Sequence, residues 1–182
     1  FKKSSYFSGY LPNHIEVVSD LETLANWVMD IVLDYQLYKS NGALQLRSSF
    51  NQILSQTLSS KISGGCRIGI GPRNNAGSRI SIVQDKANNT IEEICPTIFN
   101  ISSGEAAMLC IFGELLAQAD RIGKLLDVTG VVLIDEVDKH LHIKLQKEIL
   151  PKLFNLFPNV QFIVSSHSPF LNMGLADEAI ER

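Results

Sequence analysis

Residues 131–138 read VVLIDEVD: four aliphatic side chains run straight into two adjacent carboxylates, Asp135 and Glu136. An apolar run this short, closed by polar residues, predicts a strand buried on both faces, the kind that parallel sheets use. Its carboxylates then stand at the C-terminal tip, where open α/β sheets bind ligands. Upstream, NISSGEAAMLCIFGELLAQA at 100–119 spaces Ala106, Leu109, Cys110, Phe112, Gly113 and Leu116 by threes and fours, which predicts a helix capped by Ser102 or Ser103. Downstream, a helix over about 142–156 and a turn at Pro158-Asn159 lead to a second apolar strand, Val160 to Ser165, which ends in Ser165-Ser166-His167-Ser168-Pro169. Helices alternating with continuous apolar strands predict an α/β fold with buried parallel strands.

Farther upstream the pattern changes. The first fourteen residues have neither helical nor strand period and look like a connecting segment. Ser19-Asp20-Leu21-Glu22 matches a capping box, and Leu21, Leu24, Val28, Ile31, Tyr35 and Tyr38 mark one stripe of a helix over about 20–39. Ser40-Asn41-Gly42 supplies a stop with glycine in the left-handed position, and Leu46, Phe50, Ile53, Leu54 and Leu58 mark a second helix. From Ser63 the helical period disappears. CRIGI, RISIV and TIEEI, separated by GPRNNAGS and KANN, predict two or three short antiparallel strands. The chain thus divides into 1–62, a connecting segment with a helical hairpin, and 63–182.

Composition narrows the function. With 182 residues, 45% hydrophobic and 19% charged, the chain is sized for one compact domain. A net charge of −3 gives nucleic acid no general attraction, although a local basic patch is not excluded. No stretch approaches the roughly 18 apolar residues of a membrane helix, and FKKSSYFSGY has no signal-peptide core, so a soluble, cytoplasmic protein without a membrane partner is expected. Cys66, Cys95 and Cys110 are odd in number and lack ligand spacing, which predicts reduced thiols.

VVLIDEVD is a Walker B pattern, in which the first carboxylate helps hold Mg²⁺ and the next poises a water. An apolar strand ending in a solvated acidic turn reads the same way. Ser-Ser-Gly-Glu is both an anion site at a helix start and ordinary capping chemistry. His167, at a strand tip in a serine-rich loop, is placed to reach a phosphate or to stand in solvent; no Ser/His/Asp triad or G-x-S-x-G elbow surrounds it. Two other classes remain: a non-enzymatic interaction module with the same fold, and a metal-dependent hydrolase built on Asp135, Glu136 and His140 or His142. A spacing of two puts the last pair on different sides of a helix, which disfavours the metal reading.

Taken together, ISSGE at 101–105, LIDEVDKHLH at 133–142 and SSHSP at 165–169 resemble the signature, the Walker B plus D-loop, and the switch-histidine loop of ABC-type ATPase heads of the SMC/RecF/OLD kind. The resemblance covers about residues 85–172, and the hairpin looks like the insertion such heads carry before the signature. It implies the C-terminal lobe of a P-loop ABC-type ATPase, with parallel strands, a helical hairpin insertion and a small antiparallel sheet. It also implies ATP and Mg²⁺ as ligands, with Asp135 toward Mg²⁺, Glu136 activating water and His167 at the γ-phosphate. The resemblance further implies that Ser102, Ser103, Gly104 and Glu105 form the signature that reads ATP held by a second head, and that Asp138 and His140 form a D-loop at the dimer interface. Ile101 replaces the commoner Leu, and Ser103 and Glu105 fit the SMC/OLD branch better than transporters. The family acts on DNA or through nuclease and effector partners, in DNA repair and phage defence. GxxxxGK[ST] occurs nowhere; the nearest approach, Gly71 to Gly77, reads as a hairpin turn. The Walker A lobe is therefore expected upstream of Phe1, and these residues alone are expected to bind ATP poorly.

Overall fold

The computed structural model describes residues 21–72, 79–87, 89–121 and 128–180. The capping box before Leu21, the connecting segment and most of the GPRNNAGS turn lie outside these residues. Helices α1 (Leu21–Tyr38) and α2 (Asn41–Leu58) form the expected hairpin. All five α2 positions singled out by spacing are buried, as are Leu24, Val28 and Ile31 of α1, whereas Tyr38 at the end of the α1 stripe is exposed. Trp27 meets Phe50 edge-on with ring centroids 6.1 Å apart.

The hairpin turn differs from the expected one. Lys39, at φ 47°, takes the left-handed position, and Gly42 lies inside α2. Ser40 is the N-cap, its Oγ accepting from the Ala43 amide at 3.2 Å. Serine caps a helix better than it ends one, so the second helix starts earlier than its apolar stripe suggests.

Strands β1 (Arg67–Ile70), β2 (Ile80–Asp85) and β3 (Ile91–Cys95) form an antiparallel sheet in that order, with a register shift at Ile82/Val83. A 3₁₀ turn, Ile98–Asn100, then leads into α3 (Ser103–Arg121), which packs on α1 and α2. Strands β4 (Gly130–Ile134) and β5 (Val160–Val164) pair in parallel, Gly130 with Val160 through Ile134 with Val164. Phe162 of β5 joins Phe112 and Phe154 at centroid distances of 6.1 and 4.5 Å.

One expectation needs correction. The parallel strands are not buried on both faces: Val131, Leu133 and Ile163 are 59%, 74% and 50% exposed. Aliphatic composition equips both faces for burial, yet among the described residues a second layer covers only one. The helix expected over 142–156 is present over 143–155, with a π turn, Leu145–Ile149, inside it ahead of a short α4, Leu150–Asn155. Pro151 has no N–H to donate to the Lys147 carbonyl, and the Leu150 amide reaches back five residues to the Leu145 carbonyl. A final helix, α5 (Pro169–Ile180), was not expected. It crosses the π turn at Gly174, where a Cβ would stand 1.9 Å from the Lys147 carbonyl oxygen.

Candidate functional site

The tips of β4 and β5 are sewn together by one serine. Ser165 donates its amide to the Ile134 carbonyl at 3.0 Å and accepts the Val137 amide on its own carbonyl at 3.0 Å. Its hydroxyl donates to Asp135 Oδ1 and accepts the Glu136 amide at 2.8 Å. A parallel pair leaves its last amides and carbonyls without ladder partners, and Ser165 answers them while fixing both carboxylate residues. Glu136 sits at φ 49°, in the left-handed region that ordinary side chains avoid. This turns the chain sharply after the strand. The Glu136 carboxylate is exposed and lies 3.2 Å from Lys139 Nζ, a solvated pair worth little energetically.

His167 is placed through its backbone. Its amide donates to Asp138 Oδ1 at 3.1 Å, and the residue itself is exposed. The Ser166 hydroxyl, aided by this amide, holds the Asp138 carboxyl below the ordinary aspartate range.

At the start of α3, Ser102 and Glu105 form a reciprocal capping box. Glu105 Oε2 accepts the Ser102 amide at 2.8 Å and its hydroxyl at 2.7 Å. Lys61, in the segment after α2, meets the same carboxylate at 2.8 Å. Burial alone would push the Glu105 carboxyl up; Lys61 and both Ser102 donors outweigh it and leave the carboxyl below its ordinary value. Glu105 is 1% exposed, so its side chain braces the helix start from inside, while Ser102 and Ser103 are exposed. Gly104 backs onto the turn after β4, where a Cβ would lie 2.8 Å from the His140 carbonyl oxygen. The helix start and the Asp138–His140 turn are therefore one contiguous surface. His140 is exposed, with φ 65°.

His142 instead accepts the Lys144 amide on Nδ1 at 3.4 Å, and its carbonyl accepts from Leu145 and Gln146. Among the described residues no three His, Cys, Asp or Glu side chains gather as a metal set, so the two histidines do not complete a cage with Asp135 and Glu136. Three contributors escaped the sequence reading: Lys61, Ser165 as a bridge, and Gln146, whose amide links the two loops. For Gln146 a signal existed, a polar residue on the apolar stripe formed by Leu145, Ile149, Leu150 and Leu153.

These loops lie at the C-terminal edge of a parallel strand pair, with a capped helix start beside them. A protein-family model described as "AAA domain, putative AbiEii toxin, Type IV TA system" matches residues 75–174, more than half of the chain, and the chain belongs to that family. It is 39% identical over 89 residues to the retron Vc95 probable ATPase of Vibrio cholerae serotype O1 biovar El Tor, a match covering 47% of this chain and 17% of that protein. Against the retron Ec83 probable ATPase of Escherichia coli it is 35% identical over 94 residues, covering 50% and 16%. The chain thus spans less than a fifth of these relatives. A solved SMC head bound to the C-terminal winged-helix domain of ScpA aligns over 85% of this chain and 47% of its own, at 18% identity and a TM-score of 0.44. No helix among the described residues is long and apolar enough to cross a membrane.

Proposed function

We propose that this chain supplies the signature, Walker B and switch-histidine part of an ATPase head, that two heads close on MgATP, and that turnover drives a phage-defence activity through DNA or an effector partner in the cytoplasm. The observation that carries this reading is the Ser165 bridge, which sets Asp135 and Glu136 at one strand edge beside the His167 loop. The family and the retron ATPase relatives support it.

The residues fit the ligand. Asp135 is exposed, with one oxygen engaged by a hydroxyl, and Mg²⁺ on a nucleotide needs only one or two protein carboxylates. MgATP brings the phosphoryl group and the cation that neutralises its charge. Glu136 takes the proton of the attacking water, and His167 directs a ring N–H at the terminal phosphate. Ser103 offers its hydroxyl, and Ser103 and Gly104 offer amides, to nucleotide held by the opposite head, while Ser102, also expected to face that nucleotide, gives its hydroxyl proton to Glu105 and shapes the site through the cap. Gly104 also gives the close approach to His140, Glu105 braces the start of α3, and Asp138 and His140 line the interface between heads.

The test uses the full-length protein containing this chain. Glu136→Gln should keep MgATP binding, slow hydrolysis by about 10² to 10⁴, and accumulate an ATP-bound dimer in sedimentation. A variant turning over at the wild-type rate would remove Glu136 as the base.

A further inference from the structure

Gln146 lies in the π turn, 8% exposed, among Leu145, Ile149 and Leu150. A buried carboxamide needs acceptors for two N–H bonds and a donor for its oxygen. Gln146 has all three. Nε2 donates to the Leu141 carbonyl at 2.7 Å and to the Asp138 carbonyl at 3.3 Å. Oε1 accepts the Ser168 hydroxyl. The two carbonyls belong to the turn that carries Asp138 and His140, and the hydroxyl belongs to the loop that carries His167.

Followed onward, these bonds close a ring. The Ser168 amide donates to Ser166 Oγ at 3.0 Å. The next residue, His167, donates its amide to the Asp138 carboxylate at 3.1 Å. Asp138 returns to Gln146 through its own carbonyl. Beyond the Ser165 bridge, each loop therefore holds the other twice, once at the Asp138 carboxylate and once through Gln146. With Gln146 removed, the second of these ties is lost and the His167 loop keeps only the Ser165 bridge and the Asp138 carboxylate.

We propose that Gln146 is a positioning residue that locks the Asp138–Leu141 turn and the His167 loop into one rigid unit, so that the interface side and the γ-phosphate side of the site move together. Asn is one methylene short, Glu has no N–H for two carbonyls, and Leu leaves the Leu141 carbonyl and the Ser168 hydroxyl without this partner. Only the catalytic consequence rests on the ATPase reading; the coupling itself does not.

The experiment compares Gln146→Leu, Ser168→Ala and the double variant in the full-length protein. Hydrogen exchange should quicken by about tenfold or more at the amides of both 138–141 and 166–168 in each single variant, with α2 and β1 to β3 unchanged. Ser168→Ala carries the same expectation from the opposite end, so it decides the matter if Gln146→Leu fails to fold. Faster exchange at 166–168 with 138–141 unaffected would show that the loops are independent and overturn the proposal. In MgATP hydrolysis kcat should fall with KM unchanged, and the double variant should be no slower than the slower single one. Multiplying losses overturn the coupling. A wild-type protein with no ATP turnover would refute the proposed function, leaving Gln146 to be judged by exchange.

Discussion

Gly104 and His140 meet backbone to backbone: a single carbon added to the glycine would lie 2.8 Å from the histidine carbonyl oxygen. The contact ties the start of α3 to the turn after β4. Gly104→Ala must push the two apart, although alanine is the better helix former. The expected result is a loss of about 1–3 kcal/mol in urea unfolding together with reduced ATPase of the full-length protein. Wild-type stability and activity in this variant would mean that the contact yields freely.

Ser103 separates capping from recognition. Ser102 and Glu105 form the cap, so Ser103→Arg, on an exposed position, should change stability by less than about 0.5 kcal/mol. If the signature reads nucleotide on the opposite head, this variant binds ATP yet fails to dimerise. Mixed with a Walker A variant of the full-length protein, it should regain partial ATP-dependent association, because one composite site is then whole. A Ser103→Arg protein that dimerises normally alone would refute the trans contact.

Glu105 makes the fold sensitive to acid. Its carboxyl is depressed in the folded chain, so its contribution is complete above the ordinary glutamate value and is lost as pH falls through the folded one. Thermal melts of wild type and Glu105→Gln should therefore differ most near pH 7 and converge only once the pH falls below the depressed value of the folded carboxyl. Lys61→Met should instead leave a buried carboxylate without its cation, lowering stability at pH 7 by about 1 kcal/mol, a modest figure because Lys61 is largely exposed. A constant gap between wild type and Glu105→Gln across the pH range would sink this account.

Gly174 of α5 lies against the π turn. In a free helix Gly→Ala gains about 1 kcal/mol. Here a Cβ would stand 1.9 Å from the Lys147 carbonyl oxygen, backbone that cannot rotate away. Gly174→Ala should cost about 2 kcal/mol or more in chemical denaturation; a stabilised variant would show that α5 does not pack there.

How much of this was legible in the sequence varies by element. The hairpin, the three antiparallel strands and the β4–β5 pair were all readable, because spacing and aliphatic runs report which faces are apolar. Whether a layer covers those faces is not written in the run itself, hence the exposed Val131, Leu133 and Ile163. Helix α5 was missed because PFLNMGLADEAI scatters its apolar residues without a clear period. The π turn needed knowledge of the backbone around Pro151. At the site, Asp135, Glu136 and His167 stood out as strand-tip residues, whereas Ser165 and Lys61 act through partners 28 or more residues away, and Gln146 ties carbonyls five and eight residues back to a hydroxyl 22 residues on.

The left-handed backbone at Glu136 sets the needs of the fold against those of the chemistry. Glycine there would relieve roughly 1–2 kcal/mol of backbone strain, so for folding alone it is the better residue. On the proposed reading of Glu136 as the base, glycine would remove that strain only by removing the carboxylate as well, so stability and activity pull this one position in opposite directions.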